Sequence, residues 1–232
     1  MKFEMPSCDD CFNKIDSIFG SLTKDEQEKL LFEKSCKIYK KGEIIYHENS
    51  RPSGFYCVNK GIVKLYKTGI EGKEQIVFFA KRGDIIGYRS VLSNENSCTT
   101  AKVIDDAVIC FVPSYLLKNL VKQNNNFTIE IMQMACRELG KANAYIADIA
   151  QKTVKERLAE VLYNLHKDFG ETDDGYLNIP LTREDIANIV GTATESVIRL
   201  MSELKNEKVI ELKGRKIKIL KKGDLKKIGG VY

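Results

Sequence analysis

Between about residues 36 and 112, apolar and polar positions alternate in short runs, each cut by a glycine turn. Residues 54–58, 62–66, 75–79, 99–104 and 108–112 read as strands. The turns between them are Lys41-Gly42-Glu43, Asn59-Lys60-Gly61, Glu71-Gly72-Lys73, Arg82-Gly83-Asp84 and Gly87. Many short strands at regular spacing predict a sandwich or barrel rather than a βαβ sheet. Pro113 fits the first turn of a helix through about Lys122.

From Phe127 the period changes, and no proline intervenes before Pro180. Met132, Ala135, Leu139, Ala142, Ile146, Ile149 and Thr153 follow alternating spacings of three and four, the seam of a coiled coil. That face can pack on the chain's own β-domain or on the same helix of a second subunit. A single domain has little use for so long an exposed seam, which favours the second copy. A further helical run over 154–167 shifts phase, turning Val154, Leu158, Val161, Leu162 and Leu165 inward. The break at Lys152-Thr153 predicts a hinge, and 168–176, rich in Gly and Asp, predicts a loop. The expected organisation is α+β in three parts: a β-rich sensor with N-terminal helices over 1–126, a dimerisation helix over 127–152, and a C-terminal domain over 153–232.

The segment from Leu181 to Leu200 is the most specific in the chain. Thr182 with Asp185, and Thr192 with Glu195, place the capping-box pattern twice, so two short helices are expected. Gly191 lies between them, where the reversal needs unusual backbone angles. Ile186, Ala187, Val190, Val197 and Leu200 form a small apolar seam, and Ala187 permits close approach. The pattern predicts a helix-turn-helix, whose second helix enters the DNA major groove, although an ordinary αα-hairpin has the same outline. Residues 209–220 read as a β-hairpin turning at Gly214, a wing.

Charge favours the DNA reading. The net charge of +5 is mild, but from Ser196 to Tyr232 there are eleven Lys and Arg against four Asp and Glu. Lys221 to Lys227 read as a solvated lysine-rich tail. No apolar run approaches a membrane span, and the N-terminus lacks a signal-peptide core, so a cytoplasmic protein with no membrane partner is expected. Seven scattered cysteines argue against a disulfide scaffold.

With a glycine-punctuated β-region, a dimer helix and a winged helix-turn-helix in that order, the chain resembles the Crp/Fnr family of bacterial transcription regulators, from about Phe19 to Leu220. The resemblance implies a cyclic-nucleotide-binding-like jelly roll (β-roll), a homodimer on a two-fold symmetric operator, double-stranded DNA as partner, and contact with RNA polymerase. The family's base-reading Glu and Arg, four residues apart, fall on Glu195 and Arg199. Arg199 can donate to guanine O6 and N7 while Glu195 accepts from cytosine N4, so the pair suits a G·C base pair. Against this, the capping box already assigns the Glu195 carboxylate a structural task. Thr194 falls where the Crp branch carries a further base-reading Arg, and Ile198 where the Fnr branch carries Ser. Arg183 and Ser196 match phosphate-contact positions, and Lys213 and Arg215 on the wing reach toward the backbone; such contacts position without specifying sequence.

The effector pocket implied by the resemblance is Gly87, Tyr88, Arg89, Ser90, Thr99 and Thr100, with Ala142 and Asn143 on the long helix. Tyr88 stands where the cyclic-AMP branch has a ribose-binding Glu, and Thr99-Thr100 where it has Arg-Ser. The cyclic phosphate would lack its bidentate partner. Ala142 replaces a Thr that contacts the purine, and Arg89 is shifted by one residue. Cyclic AMP is therefore not the expected effector. Cys8, Cys11 and Cys110 match three of four iron-sulfur ligands of the Fnr branch. The fourth position holds Ser17, and hydroxyl is a poor ligand for iron. Cys36 is the substitute on offer. The CxxC leaves a redox dithiol, part of a metal site, or neither open, while Cys57, Cys98 and Cys136 read as small buried residues. Haem sensing also occurs in the family, and only His47 and His166 offer imidazole. Two other function classes remain: a signal-binding module acting on a partner protein, and an enzyme. No nucleophile-base-orienter set, phosphate loop or metal-ligand histidine pair supports the enzyme.

Overall fold

The computed structural model describes residues 18–231, so Cys8, Cys11 and Ser17 lie outside the described residues. Helix α1 (Lys24–Glu33) leads into strands β1 (Ser35–Tyr39), β2 (Ile44–Tyr46), β3 (Gly54–Thr68), β4 (Glu74–Ala80) and β5 (Ile85–Ile86). A short helix α2 (Tyr88–Ser93), strand β6 (Thr100–Pro113) and helix α3 (Ser114–Gln123) follow. The long helix α4 (Asn125–Gln151) precedes α5 (Val154–Phe169), α6 (Arg183–Val190), α7 (Thr194–Asn206), β7 (Ile210–Lys213), β8 (Lys216–Ile219) and α8 (Lys222–Ile228). The described chain divides into two compact units, residues 18–72 with 77–140 and residues 73–76 with 141–231, the later boundary falling within α4.

Six antiparallel strands form one sheet in the order β1-β6-β3-β4, with β2 also on β6 and β5 on β3. The pattern predicts four strands over 54–66 and 99–112; the structure joins them into two long ones, β3 and β6. The register slips near Lys60 and Ile62 instead of the chain turning. Gly61 makes this bulge available. Its φ is +88°, and a Cβ there would lie 2.5 Å from the Asp106 carbonyl oxygen. Alternation then divides the sheet's two faces. Phe55, Cys57, Cys110 and Val112 point into a core with Leu116, Leu117 and Phe127 from the helices. Val58, Val63, Leu65, Ala107 and Ile109 enclose the other core with Ala80 and Ile86.

In α4 only Phe127 and Ile131 are buried, whereas Met132, Leu139, Ile146 and Ile149 are exposed, Leu139 by 62% and Ile146 by 65%. The helical break falls at Lys152 and Thr153, and Thr153 with Glu156 caps α5 in a complete capping box. Leu158, Leu162 and Leu165 are buried as expected, with Val154 and Val161 half-buried. The C-terminal lysines are not a simple solvated tail. Residues Lys222–Ile228 form a helix that buries Leu225 fully, and a Cβ at the adjoining Gly229 would lie 2.8 Å from the Glu160 amide.

Candidate nucleic-acid interface and sensor site

Thr182 caps α6 as the sequence predicts. Its Oγ1 accepts from the Asp185 amide at 3.0 Å, and the Thr182 amide donates to the Asp185 carboxylate at 3.0 Å. Gly191 follows as the left-handed C-cap, with φ 72° and ψ 52°. The second capping box does not form. The Thr192 amide still donates to the Ala187 carbonyl at 3.1 Å, so Thr192 closes α6. The N-cap of α7 passes to Ala193, which supplies no side-chain oxygen. Among the described residues nothing hydrogen-bonds or ion-pairs with the Glu195 carboxylate, which is free of the capping task.

Helix α7 is two-sided. Val197, Leu200, Met201 and Leu204 are buried, while Glu195, Ile198, Arg199 and Ser202 are exposed and Thr194 and Ser196 half-buried. Arg199 is not idle. Its Nη1 donates to Glu203 Oε1 at 2.5 Å, one turn onward. Sequence reasoning missed Glu203, although the spacing of two carboxylates four residues either side of Arg199 carries the signal.

The wing is the two-stranded sheet of β7 and β8, turning at Gly214 with φ +58°. Lys213, Arg215 and Lys216 are exposed around this tip. Arg183 does not stand free beside them. Its Nη2 donates to the Gly214 carbonyl at 2.9 Å and its Nη1 to the Arg215 carbonyl at 3.4 Å. Burial lowers its pKa. The helix-turn-helix and the wing tip are thus tied through one guanidinium.

In the sheet-containing unit, Gly87 (φ +78°) starts α2, where the backbone needs the left-handed region. Tyr88 is buried, and burial, with Glu138 of α4 beside it, raises its pKa. Arg89 lies 3.6 Å from Glu138 and donates to Cys98 Sγ at 3.2 Å, partners that sequence reasoning did not find. Ser90, Thr99 and Thr100 are buried, and Thr100 Oγ1 accepts from the Glu48 amide at 2.9 Å. Arg51 lines a cavity with Ser90, Val91 and Lys118. Ala142 and Asn143 are exposed on α4.

The cysteines depart from expectation. Cys98 and Cys136 are exposed, not buried. Cys110 is 3% exposed and is bonded to Cys36 in a disulfide. Its sulfur is therefore engaged, and among the described residues no three His, Cys, Asp or Glu side chains gather as a metal would need. The other candidate ligands, Cys8 and Cys11, lie outside the described residues. Of the two histidines, His47 is exposed, and His166 Nδ1 lies 3.4 Å from Glu171.

Two family models match the chain: a cyclic nucleotide-binding domain over residues 36–124 and a Crp-like helix-turn-helix domain over 156–228. The fumarate and nitrate reduction regulatory protein of Vibrio cholerae is 26% identical over 228 residues, covering 97% of this chain and 90% of that protein. Electron transport regulator A of Shewanella oneidensis is also 26% identical, covering 96% and 90%. Among solved structures, FixK2 from Bradyrhizobium japonicum superposes with a TM-score of 0.74 at 26% identity, covering 84% of this chain and 96% of that one. Among the described residues no helix is long and apolar enough to cross a membrane. Sheet domain, long helix and winged helix-turn-helix, matched in sequence and in fold, place the chain in the Crp/Fnr family of transcription regulators.

Proposed function

We propose that the protein acts in the cytoplasm as a homodimer on a two-fold symmetric operator. In this reading α7 enters the major groove, and Glu195 and Arg199 read a G·C pair in each half-site. The observation that carries it is the free Glu195 carboxylate one turn from Arg199 on the exposed face of a helix whose other face is buried. Thr194 lies at the edge of this face. Ser196, Lys213 and Arg215 supply phosphate contacts, while Arg183 supports the wing. Half-sites in such dimers lie about 34–36 Å apart, so a signal at the β-roll that rotates the DNA-binding units moves them in or out of register. RNA polymerase contact accompanies this role. Cyclic AMP is not the signal, since Tyr88, Thr99 and Thr100 replace the groups that would bind its ribose and phosphate.

Selection of a binding site from random duplexes, followed by fluorescence anisotropy, tests the assignment. Wild type selects a two-fold site and binds it with steep salt dependence. Arg199→Ala loses about 1–3 kcal/mol of discrimination at one G·C position per half-site. If the variant preferred that pair as strongly as wild type, Arg199 would not be its reader.

A further inference from the structure

We propose that Cys36, Cys110 and Cys57 form a thiol–disulfide switch that reacts with low-molecular-weight disulfides, with Cys110 as the shared central sulfur. Cys36 pairs in register with Cys110, and Cys110 with Cys57, across the neighbouring strands β1, β6 and β3. In-register residues of adjacent strands share a face, so the three sulfurs make one transverse row. Cys36 and Cys110 are already bonded. The row is graded in access: Cys36 is half-buried on the edge strand, while Cys110 and Cys57 are 3% and 8% exposed. A small disulfide therefore meets Cys36 first.

The chemistry balances. The Cys36 thiolate attacks a small disulfide, forming a mixed disulfide and releasing one small thiolate. The Cys110 thiolate then attacks the Cys36 sulfur, closing the cross-strand bond and releasing the second. Two protein thiols are oxidised, one small disulfide is reduced to two thiols, and both protons end on the released thiols. Attack by the Cys57 thiolate on Cys110 would move the bond to Cys57–Cys110 and return Cys36 as a thiol, with no net oxidation. Disulfides in the reducing cytosol are typically transient and redox-sensing. That step alone rests on the proposed cytoplasmic DNA-binding role. The closed bond joins residues 74 apart and fixes β1, directly after α1, to the central strand β6.

The test equilibrates the full-length protein anaerobically in mixtures of reduced and oxidised glutathione. Samples are quenched in acid, alkylated and mapped by non-reducing peptide mass spectrometry. The Cys36–Cys110 peptide should rise from absent to dominant across the series and disappear on return to reducing buffer. In Cys36→Ser the link should move to Cys57–Cys110, with circular dichroism checking that the fold is intact. Folded wild type with Cys36 and Cys110 alkylated at every ratio would overturn the proposal, as would Cys110 linked to Cys8 or Cys11. Anisotropy on a selected operator, run on the same samples, reports DNA binding separately, so failure of one reading is distinguishable from failure of the other.

Discussion

Arg199 sits between two carboxylates, with Glu195 one turn before it and Glu203 one turn after, and without DNA it binds the latter at 2.5 Å. An exposed i,i+4 pair of this kind is worth only about 0.3–0.5 kcal/mol. A bidentate contact to guanine is worth about 1–3 kcal/mol of discrimination, so in the proposed complex the base outcompetes the Glu203 pairing. Glu203→Gln should therefore tighten operator binding roughly twofold, the release of one such pair, as read by anisotropy at fixed salt. Weaker binding would mean that Glu203 aims Arg199 rather than competing for it. The helix-turn-helix core was legible residue by residue, because Thr182, Gly191 and the apolar seam each answer to local geometry. Thr192 was not. Its hydroxyl suits a cap, but its amide stays with the preceding helix, and only the path of the chain after Gly191 decides that.

At the scale of the element, α5 begins at an exposed cap with a pH signature. The Glu156 carboxylate accepts from the Thr153 hydroxyl at 2.8 Å and the Thr153 amide at 2.6 Å, and these bonds lower its pKa from 4.5. A depressed folded pKa contributes stability that is complete above 4.5 and is lost as pH falls through the lowered value. Thr153→Ala should cost about 1 kcal/mol in urea unfolding at neutral pH. The gap from wild type should narrow as the pH falls below that range; an unchanged gap would detach Glu156 from the cap. The strand elements were legible in position but not in continuity. A glycine with polar neighbours, as at Asn59-Lys60-Gly61, signals a turn locally, and only the close approach of Asp106 from the partner strand makes it a bulge. The Cys36–Cys110 bond was hidden for the same reason, since pairing across a sheet depends on register rather than on spacing along the chain.

At the scale of the whole molecule, the exposed apolar face of α4 calls for a partner, and the proposed one is a second copy. Leu139→Glu removes a side chain worth about 1.5–3 kcal/mol on burial, and the two-fold axis applies the loss twice. The dimer dissociation constant should rise by about a hundredfold or more in sedimentation velocity. Binding to a two-fold operator should fall with it, while circular dichroism stays unchanged. Dimers that survive the charge would move the interface elsewhere. Within the C-terminal unit, the two hydrogen bonds from Arg183 to the hairpin tip have a mechanical outcome. They tie the start of α6, the helix before the proposed groove-entering α7, to the tip of the hairpin. In the proposed complex with DNA, a tilt of the helix-turn-helix carries the hairpin tip with it, so groove and phosphate contacts are gained or lost together.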